Sequence, residues 1–307
     1  MNRTSLRAVA ICLSCAGAWL CFGPLSAPLI AEAIIAPAST AGSPGQMDPL
    51  LYTSKNWGGY AAETNFSSPQ SGTVTSVSGS WIVPAVTPSA NSSLAPLSDC
   101  AVWVGIDGLD NSTVEQVGTE SYIYNGVITY DAWYQMYPDS SLITFTVSPG
   151  DSITANVTFG LPHHLNQFQL SLTDNTSGRY FTVYEPSTAL RTSAEWIVEA
   201  PTASDGIAPL PTFGSVSFTN AQATIGSTTG AIDDPSWQVE QITMSNPAWD
   251  DTMNPSDLSD SGSGDSATSS FTVFQTPEPA SLSLLILGGM FLLRRKASRP
   301  WAVGRRW

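Results

Sequence analysis

The chain has 307 residues and a formal net charge of −14, but its charge is unevenly placed: between residues 34 and 276 only Lys55, Arg179 and Arg191 stand against 23 Asp and Glu, a net near −20. Such a stretch excludes nucleic acid and anionic lipid as partners, which need a basic surface, and it suits either low pH or high salt. Three of the four cysteines, Cys12, Cys15 and Cys21, lie near the start, which leaves Cys100 alone and excludes a disulfide framework; Cys100 is read as a small buried hydrophobe.

Taken in chain order, residues 1–33 carry Arg3 and Arg7, an apolar run from Ala8 to Phe22 and small residues at Ala31-Glu32-Ala33. That order predicts a secretory signal peptide, and so an exported protein at the cell envelope or outside the cell. The run is shorter than the roughly 20 residues a membrane span needs. Residues 34–53 read as a short linker or prosegment, and 54–276 as one catalytic domain of an all-β, two-sheet sandwich or jelly-roll kind. Within it, short runs rich in Val, Thr, Tyr and Trp alternate with Gly, Pro, Asn and Ser at intervals of about ten residues. Strands are predicted at 57–64, 72–83, 101–107, 113–122, 129–137, 152–158, 167–173, 180–184, 193–200, 214–223, 237–244 and 271–274. The Ser, Asp and Gly run at 256–270 reads as a solvated loop.

Strand alternation sorts the side chains by face. In 193–200, Ala194, Trp196 and Val198 make a core face, and Glu195, Ile197 and Glu199 oppose it. In 101–107, Trp103 and Asp107 lie opposite Val102, Val104 and Ile106; in 129–137, Asp131, Trp133 and Gln135 share a side. Trp and carboxylates on one face of several strands predict a solvent-facing substrate groove. The only histidines, His163 and His164, are adjacent and lack metal-ligand spacing, so neither a metal nor another cofactor is expected. No G-x-S-x-G elbow supports a serine triad. Carboxylates and amides remain as the acid-base groups.

Six blocks then carry a resemblance: Asn56-Trp57-Gly58-Gly59-Tyr60, Trp103-Val104-Gly105-Ile106-Asp107-Gly108, Gln116-Val117-Gly118, Tyr130-Asp131-Ala132-Trp133-Tyr134 with Tyr137-Pro138, Ala194-Glu195-Trp196-Ile197-Val198-Glu199, and Phe213-Gly214-Ser215-Val216. In order and spacing this resembles the glutamic peptidases, the eqolisin family of pepstatin-insensitive acid proteases, over about residues 55–225. The resemblance implies a sandwich with a concave substrate face, a polypeptide substrate, and a catalytic dyad at Glu195 and Gln116. Glu195 would take a proton from the attacking water and return it to the leaving nitrogen, while the Gln116 amide would orient that water and donate to the oxyanion. Trp57, Trp103, Asp107, Asp131, Trp133 and Glu199 are the candidate substrate-binding residues. For the tryptophans core packing is the alternative, for Asp107 and Asp131 strand-end turn caps, and for Glu199 a solvated carboxylate. In the family's Tyr-x-x-x-Tyr-Pro block an acid often stands where this chain has Gln135. Fungal members typically have disulfides and a long propeptide; here Cys100 stands alone after the signal segment, and residues 34–53 are expected to be only a short prosegment or linker.

The chain closes with Pro277-Glu278-Pro279, an almost wholly apolar stretch from Ala280 to Leu293, and Arg294, Arg295 and Lys296. This resembles the bacterial PEP-CTERM sorting signal, assigned to 277–299 with a basic tail at 300–307. It implies membrane attachment and cleavage by a sorting enzyme; a plain C-terminal anchor is the alternative. The protein is otherwise expected to be a monomer. Two other functions stay open: a carbohydrate-binding or glycan-cleaving lectin-like sandwich, and a non-catalytic matrix protein.

Overall fold

The computed structural model describes residues 49–90, 95–204 and 206–276. The signal segment, the sorting tail and most of the 34–53 stretch lie outside the described residues. Nineteen strands follow in chain order: β1 (Leu50–Ser54), β2 (Trp57–Glu63), β3 (Val74–Ile82), β4 (Leu97–Ile106), β5 (Val114–Tyr124), β6 (Val127–Tyr137), β7 (Leu142–Thr146), β8 (Ser152–Leu161), β9 (His164–Asp174), β10 (Tyr180–Pro186), β11 (Ser193–Glu199), β12 (Thr202–Ala203), β13 (Gly206–Ile207), β14 (Ser215–Ile225), β15 (Thr228–Gly230), β16 (Gln238–Asn246), β17 (Asp251–Pro255), β18 (Ser259–Ser261) and β19 (Thr268–Gln275). Among the described residues a 3-10 turn at Gly264–Ser266 accompanies them, and no helix there is long and apolar enough to cross a membrane. Every expected strand is present. Two of the additions replace expected linker or loop: β1 starts in the linker, and the 256–270 stretch carries β18, with the expected last strand, β19, also starting there.

Seventeen strands join one sheet, and only the β12–β13 hairpin stands apart. Hydrogen-bonded neighbours run β7-β6-β5-β4-β11-β2-β16-β17-β19-β14-β3-β8-β9-β10, with β1 added parallel to β16. Hydrogen bonding is thereby continuous through the two halves that the sequence suggests as two sheets. The passage from one half to the other is made by β14, whose first part pairs with β19 and whose later part pairs with β3. Register shifts between Phe218 and Ala221, with Asn220 at φ +52°, bend the strand there as a bulge does. The two free ends, β7 and β10, approach each other: Arg179 Nη1 donates to the Thr146 carbonyl (3.2 Å), and Phe181 packs on Tyr134 and Phe145. The sheet is thus nearly closed into a barrel.

The alternation read from the sequence divides the interior into two apolar groups. Tyr60, Val102, Val104, Trp196, Val198, Phe168, Leu170 and Phe218 belong to the main core between the halves. Trp196 anchors it, fully buried with its Nε1 donating to the Ser78 carbonyl (2.7 Å), so its large apolar ring is buried without an orphaned donor. Cys100 joins this core, where burial pushes its thiol pKa up, as its reading as a buried hydrophobe requires. A second group, Tyr52, Trp57, Ala61, Ala101, Trp103, Val114, Trp133, Tyr137, Ile197 and Ile242, covers the opposite face of β2, β11, β4, β5 and β6. That face carries the candidate site.

Candidate active site

Strand register builds the site in rows. Glu195 on β11 is directly opposite Ala61 on β2 and Gly105 on β4; Gly105 is opposite Gln116 on β5, and Gln116 opposite Gln135 on β6. Directly opposed residues share a face, so Glu195 and Gln116 point to the same side, two strand spacings or about 9.6 Å apart at their Cα atoms. Within the row Gly105 is the residue between them, with the benzo edge of Trp103 lying over it. A Cβ at Gly105 would stand 2.9 Å from Trp103 Cζ3 and 3.2 Å from Gln116 Cβ, so the missing side chain is what makes room for both. On the far side of Glu195, Ala61 faces Glu240.

The next row holds the tryptophans. Ile197, Trp103, Gly118 and Trp133 are opposed in turn across β11, β4, β5 and β6. Gly118 lets Trp103 lie against its strand, since a Cβ there would stand 2.6 Å from Trp103 Cβ and 2.3 Å from the Val102 carbonyl oxygen. Trp57 meets Trp103 edge to face with ring centroids 5.0 Å apart, and its Cη2 atom reaches the Gly108 position. Beyond lies a row of acids: Glu199 opposite Ala101, Ala101 opposite Glu120, Glu120 opposite Asp131. Trp103 links the rows, with its benzo edge at Gly105 and its Nε1 donating to Glu199 Oε2 (2.8 Å). Glu199 also accepts from Asn56 Nδ2 (3.5 Å).

All eight residues singled out in the sequence therefore lie on or at the end of this face, but they do not form one cluster. Glu195 and Gln116 share one row with the Trp103 ring over Gly105, and Trp57, opposite Glu199 on β2, packs edge to face on Trp103. Glu199 and Asp131 belong to the acid row about 13 Å further along the strands, where the Tyr122 hydroxyl reaches Asp131 (3.5 Å). Asp107 turns away into its own loop. Its carboxylate accepts from the backbone of Arg191 (2.6 Å) and Thr192 (2.7 Å), the Thr192 hydroxyl (3.0 Å) and Asn111 Nδ2 (2.9 Å), and so pins the end of β4 to the start of β11.

The expected solvent-facing groove is corrected. Glu195, Gln116, Asp107 and Trp103 are each 0% exposed, and Trp57, Glu199, Asp131 and Trp133 are buried with them. The physical reason is the aromatic group itself: Trp57, Trp103, Trp133, Tyr52 and Tyr137 pack on each other and on Ile197 and Ile242, and the face carries its own apolar layer. Polar groups beneath that layer are left without partners. Both carboxyl oxygens of Glu63, Gln116 Oε1, the Tyr52 hydroxyl and the Trp133 indole nitrogen have none, while the Ser193 hydroxyl lies against the Glu195 carboxyl and the Trp57 indole against Glu199. Orphaned buried polar atoms are rare in folded proteins and mark a place meant for water or a polar ligand. Among the described residues several of them lie on this face.

Burial also sets the protonation. It holds the Glu195 carboxyl well above the usual carboxylate range, with Asp107, Glu63 and Asp110 pushing the same way. Burial likewise raises Glu199 well above that range, and raises Glu63 to about 8 and Glu240 to about 7. Asp99 and Glu120, raised by burial, hydrogen-bond each other in the acid row. At acid pH this face is a layer of neutral carboxyl groups. Among the described residues no three His, Cys, Asp or Glu side chains are grouped to hold a metal ion.

Glu63, Ser193, Glu240 and Glu120 were not singled out in the sequence. The signal for Glu63 was present, because alternation along β2 places it on the face of Trp57 and Ala61. The rest needed the register between strands distant in sequence.

The fold is found among solved structures. Over 72% of this chain and 98% of theirs, two structures of scytalido-glutamic peptidase superpose with TM-scores of 0.53 and 0.51 at 24% and 25% identity, one with a transition-state analogue inhibitor and the other with a peptide-based transition-state analogue. The profile of the Peptidase A4 family matches residues 55–260, more than half of the chain, and the chain belongs to that family. It is 38% identical over 148 residues to aspergillopepsin-2 of Aspergillus niger, and 32% identical over 155 residues to scytalidopepsin B of Scytalidium lignicola. These alignments take in 46% and 47% of this chain and span 52% and 58% of those relatives' lengths.

Proposed function

We propose that this chain is an acid endopeptidase in which Glu195 and Gln116 act together on one peptide carbonyl. The observation that carries the reading is their placement on one face in a single cross-strand row, with Gly105 as the residue between them and Gln116 Oε1 unpartnered. Family membership points the same way.

With its pKa raised by burial, Glu195 enters the reaction at acid pH as a neutral acid, in place of the carboxylate base expected from the sequence. A neutral carboxyl has one O–H to donate and one oxygen free to accept. The accepting oxygen takes a proton from the attacking water as its oxygen bonds to the carbonyl carbon. The O–H gives its proton to the substrate carbonyl oxygen, leaving a neutral gem-diol and a neutral Glu195. On collapse Glu195 gives a proton to the scissile nitrogen as the C–N bond breaks and takes one back from a diol hydroxyl as the carbonyl of the new acid forms, so it ends neutral. Gln116 Oε1 holds the water, and the hydrogen of its amide not used within the protein donates to the developing oxyanion. A peptide reaches these groups once the aromatic layer of Trp57 and Trp103 parts. That row of tryptophans and neutral acids would then line a groove for an uncharged backbone, with Trp133, Asp131 and Glu199 toward its far end.

Export by residues 1–33, a sorting and membrane segment at 277–299 and a monomeric catalytic unit complete the proposal. A retaining glycan-cleaving reading needs an ionised second carboxyl about 5 to 5.5 Å from Glu195; Asp131 lies in the row of Glu199, Asp107 is committed to its loop, and Glu63, diagonal to Glu195 across β2, is held neutral at acid pH by burial. The test is cleavage of casein below about pH 5, with and without pepstatin. Pepstatin-resistant cleavage is expected, lost in Glu195→Gln, and reduced in Gln116→Ala by about 2.7 to 4 kcal/mol of transition-state stabilisation. Unchanged cleavage in both variants would end this assignment.

A further inference from the structure

A side-chain relay behind Gln116 decides which way round its amide stands. Gln116 Nε2 donates to Gln135 Oε1 (2.9 Å), and Gln135 Nε2 donates to the Asp139 backbone carbonyl (2.7 Å). The carbonyl of Asp139 can only accept, so Gln135 must present its Nε2 there. Its remaining atom, Oε1, can also only accept. Gln116 must therefore present Nε2 to it, which leaves Gln116 Oε1 as the uncommitted atom. Turning either amide alone would set two oxygens face to face. Gln116 is fully buried and Gln135 is 5% exposed, so solvent offers little relief of such a contact.

We infer that Gln135 is the positioning residue of the site: through its bond to the Asp139 carbonyl it locks Gln116 with Oε1 free to hold the attacking water and one Nε2 hydrogen left for the oxyanion. This rests on the peptidase reading above for its consequence, though not for its geometry. Both relay groups are amides and do not titrate, so the lock is the same at every pH. A carboxylic acid at position 135 would complete the relay only while protonated, because an ionised carboxylate has no hydrogen for the Asp139 carbonyl.

The experiment compares the full chain with Gln135→Met, which keeps the volume and removes both bonds, and Gln135→Glu. Cleavage of casein gives kcat and KM across the acid range, and the side-chain amide resonances of Gln116 report the lock without reference to activity. Expected are a protected Gln116 amide in the parent that is lost in Gln135→Met, a fall in kcat on the order of 10- to 100-fold with KM little changed, and recovery in Gln135→Glu at low pH that disappears as pH rises. An unprotected Gln116 amide in the parent would overturn the inference. So would a Gln135→Met enzyme with parental kcat, or a Gln135→Glu profile that overlays the parent's. A parent that cleaves nothing yet shows the protected amide would count against the peptidase reading alone.

Discussion

Among single residues, the buried carboxyls govern how the protein meets pH. Glu63 is fully buried, neither of its oxygens has a partner, and burial raises its pKa from the ordinary 4.5 to about 8. Between those two values the folded chain holds a proton that the unfolded chain releases. Stability from this group is therefore complete below about pH 4.5 and is lost as pH rises toward 8. Glu115 is raised to about 8 and Glu240 to about 7 by the same cause, and they add to the same slope. Glu63→Gln should flatten the fall in melting temperature between about pH 5 and 8, as thermal scans at several pH values would register; an unchanged slope would remove Glu63 from this role. None of this was legible from residue type. Alternation along β2 puts Glu63 on the face of Trp57 and Ala61, but its depth of burial follows only from the register that sets it between Ser193 and Gln238.

At the scale of strands, the two interior glycines decide what the Glu195 face can hold. Gly105 on β4 needs no unusual backbone, so Gly105→Ala should fold. Its methyl group would press on Trp103 Cζ3 at 2.9 Å and Gln116 Cβ at 3.2 Å, and so fill the space between the two dyad residues. The expected outcome is a loss of kcat on the order of 100-fold with a melting temperature within a few degrees of the parent. Full activity would mean that the Gly105 gap is not where the reaction occurs. Strand existence and facing were legible because hydrophobic alternation is strong in β4, β5 and β11. The groove was not, since the same alternation fits an open sheet as well as one roofed by its own tryptophans. Nor was β1, whose Leu50 and Leu51 are exposed and show little amphipathic pattern. The two-sheet expectation missed the bulge in β14, because Phe218-Thr219-Asn220-Ala221 carries no strong turn signal.

For the whole molecule, charge and fold agree. Among the described residues the basic side chains are only Lys55, His163, His164, Arg179 and Arg191, so protonating the carboxyls leaves little charge to repel itself. Combined with neutral acids inside, this predicts that the strand signal in circular dichroism persists at about pH 2 to 3 and is lost on the alkaline side of pH 8; loss of structure in acid would contradict the account. The central claim is that one carboxyl and one amide work as a unit over Gly105. A double-mutant cycle tests it most directly, with kcat measured on a single peptide for the parent, Glu195→Gln, Gln116→Ala and the pair. The account predicts that the pair is no slower than the worse single variant, because residues that act together are lost together. Multiplicative losses would show two groups working apart, and would contradict it.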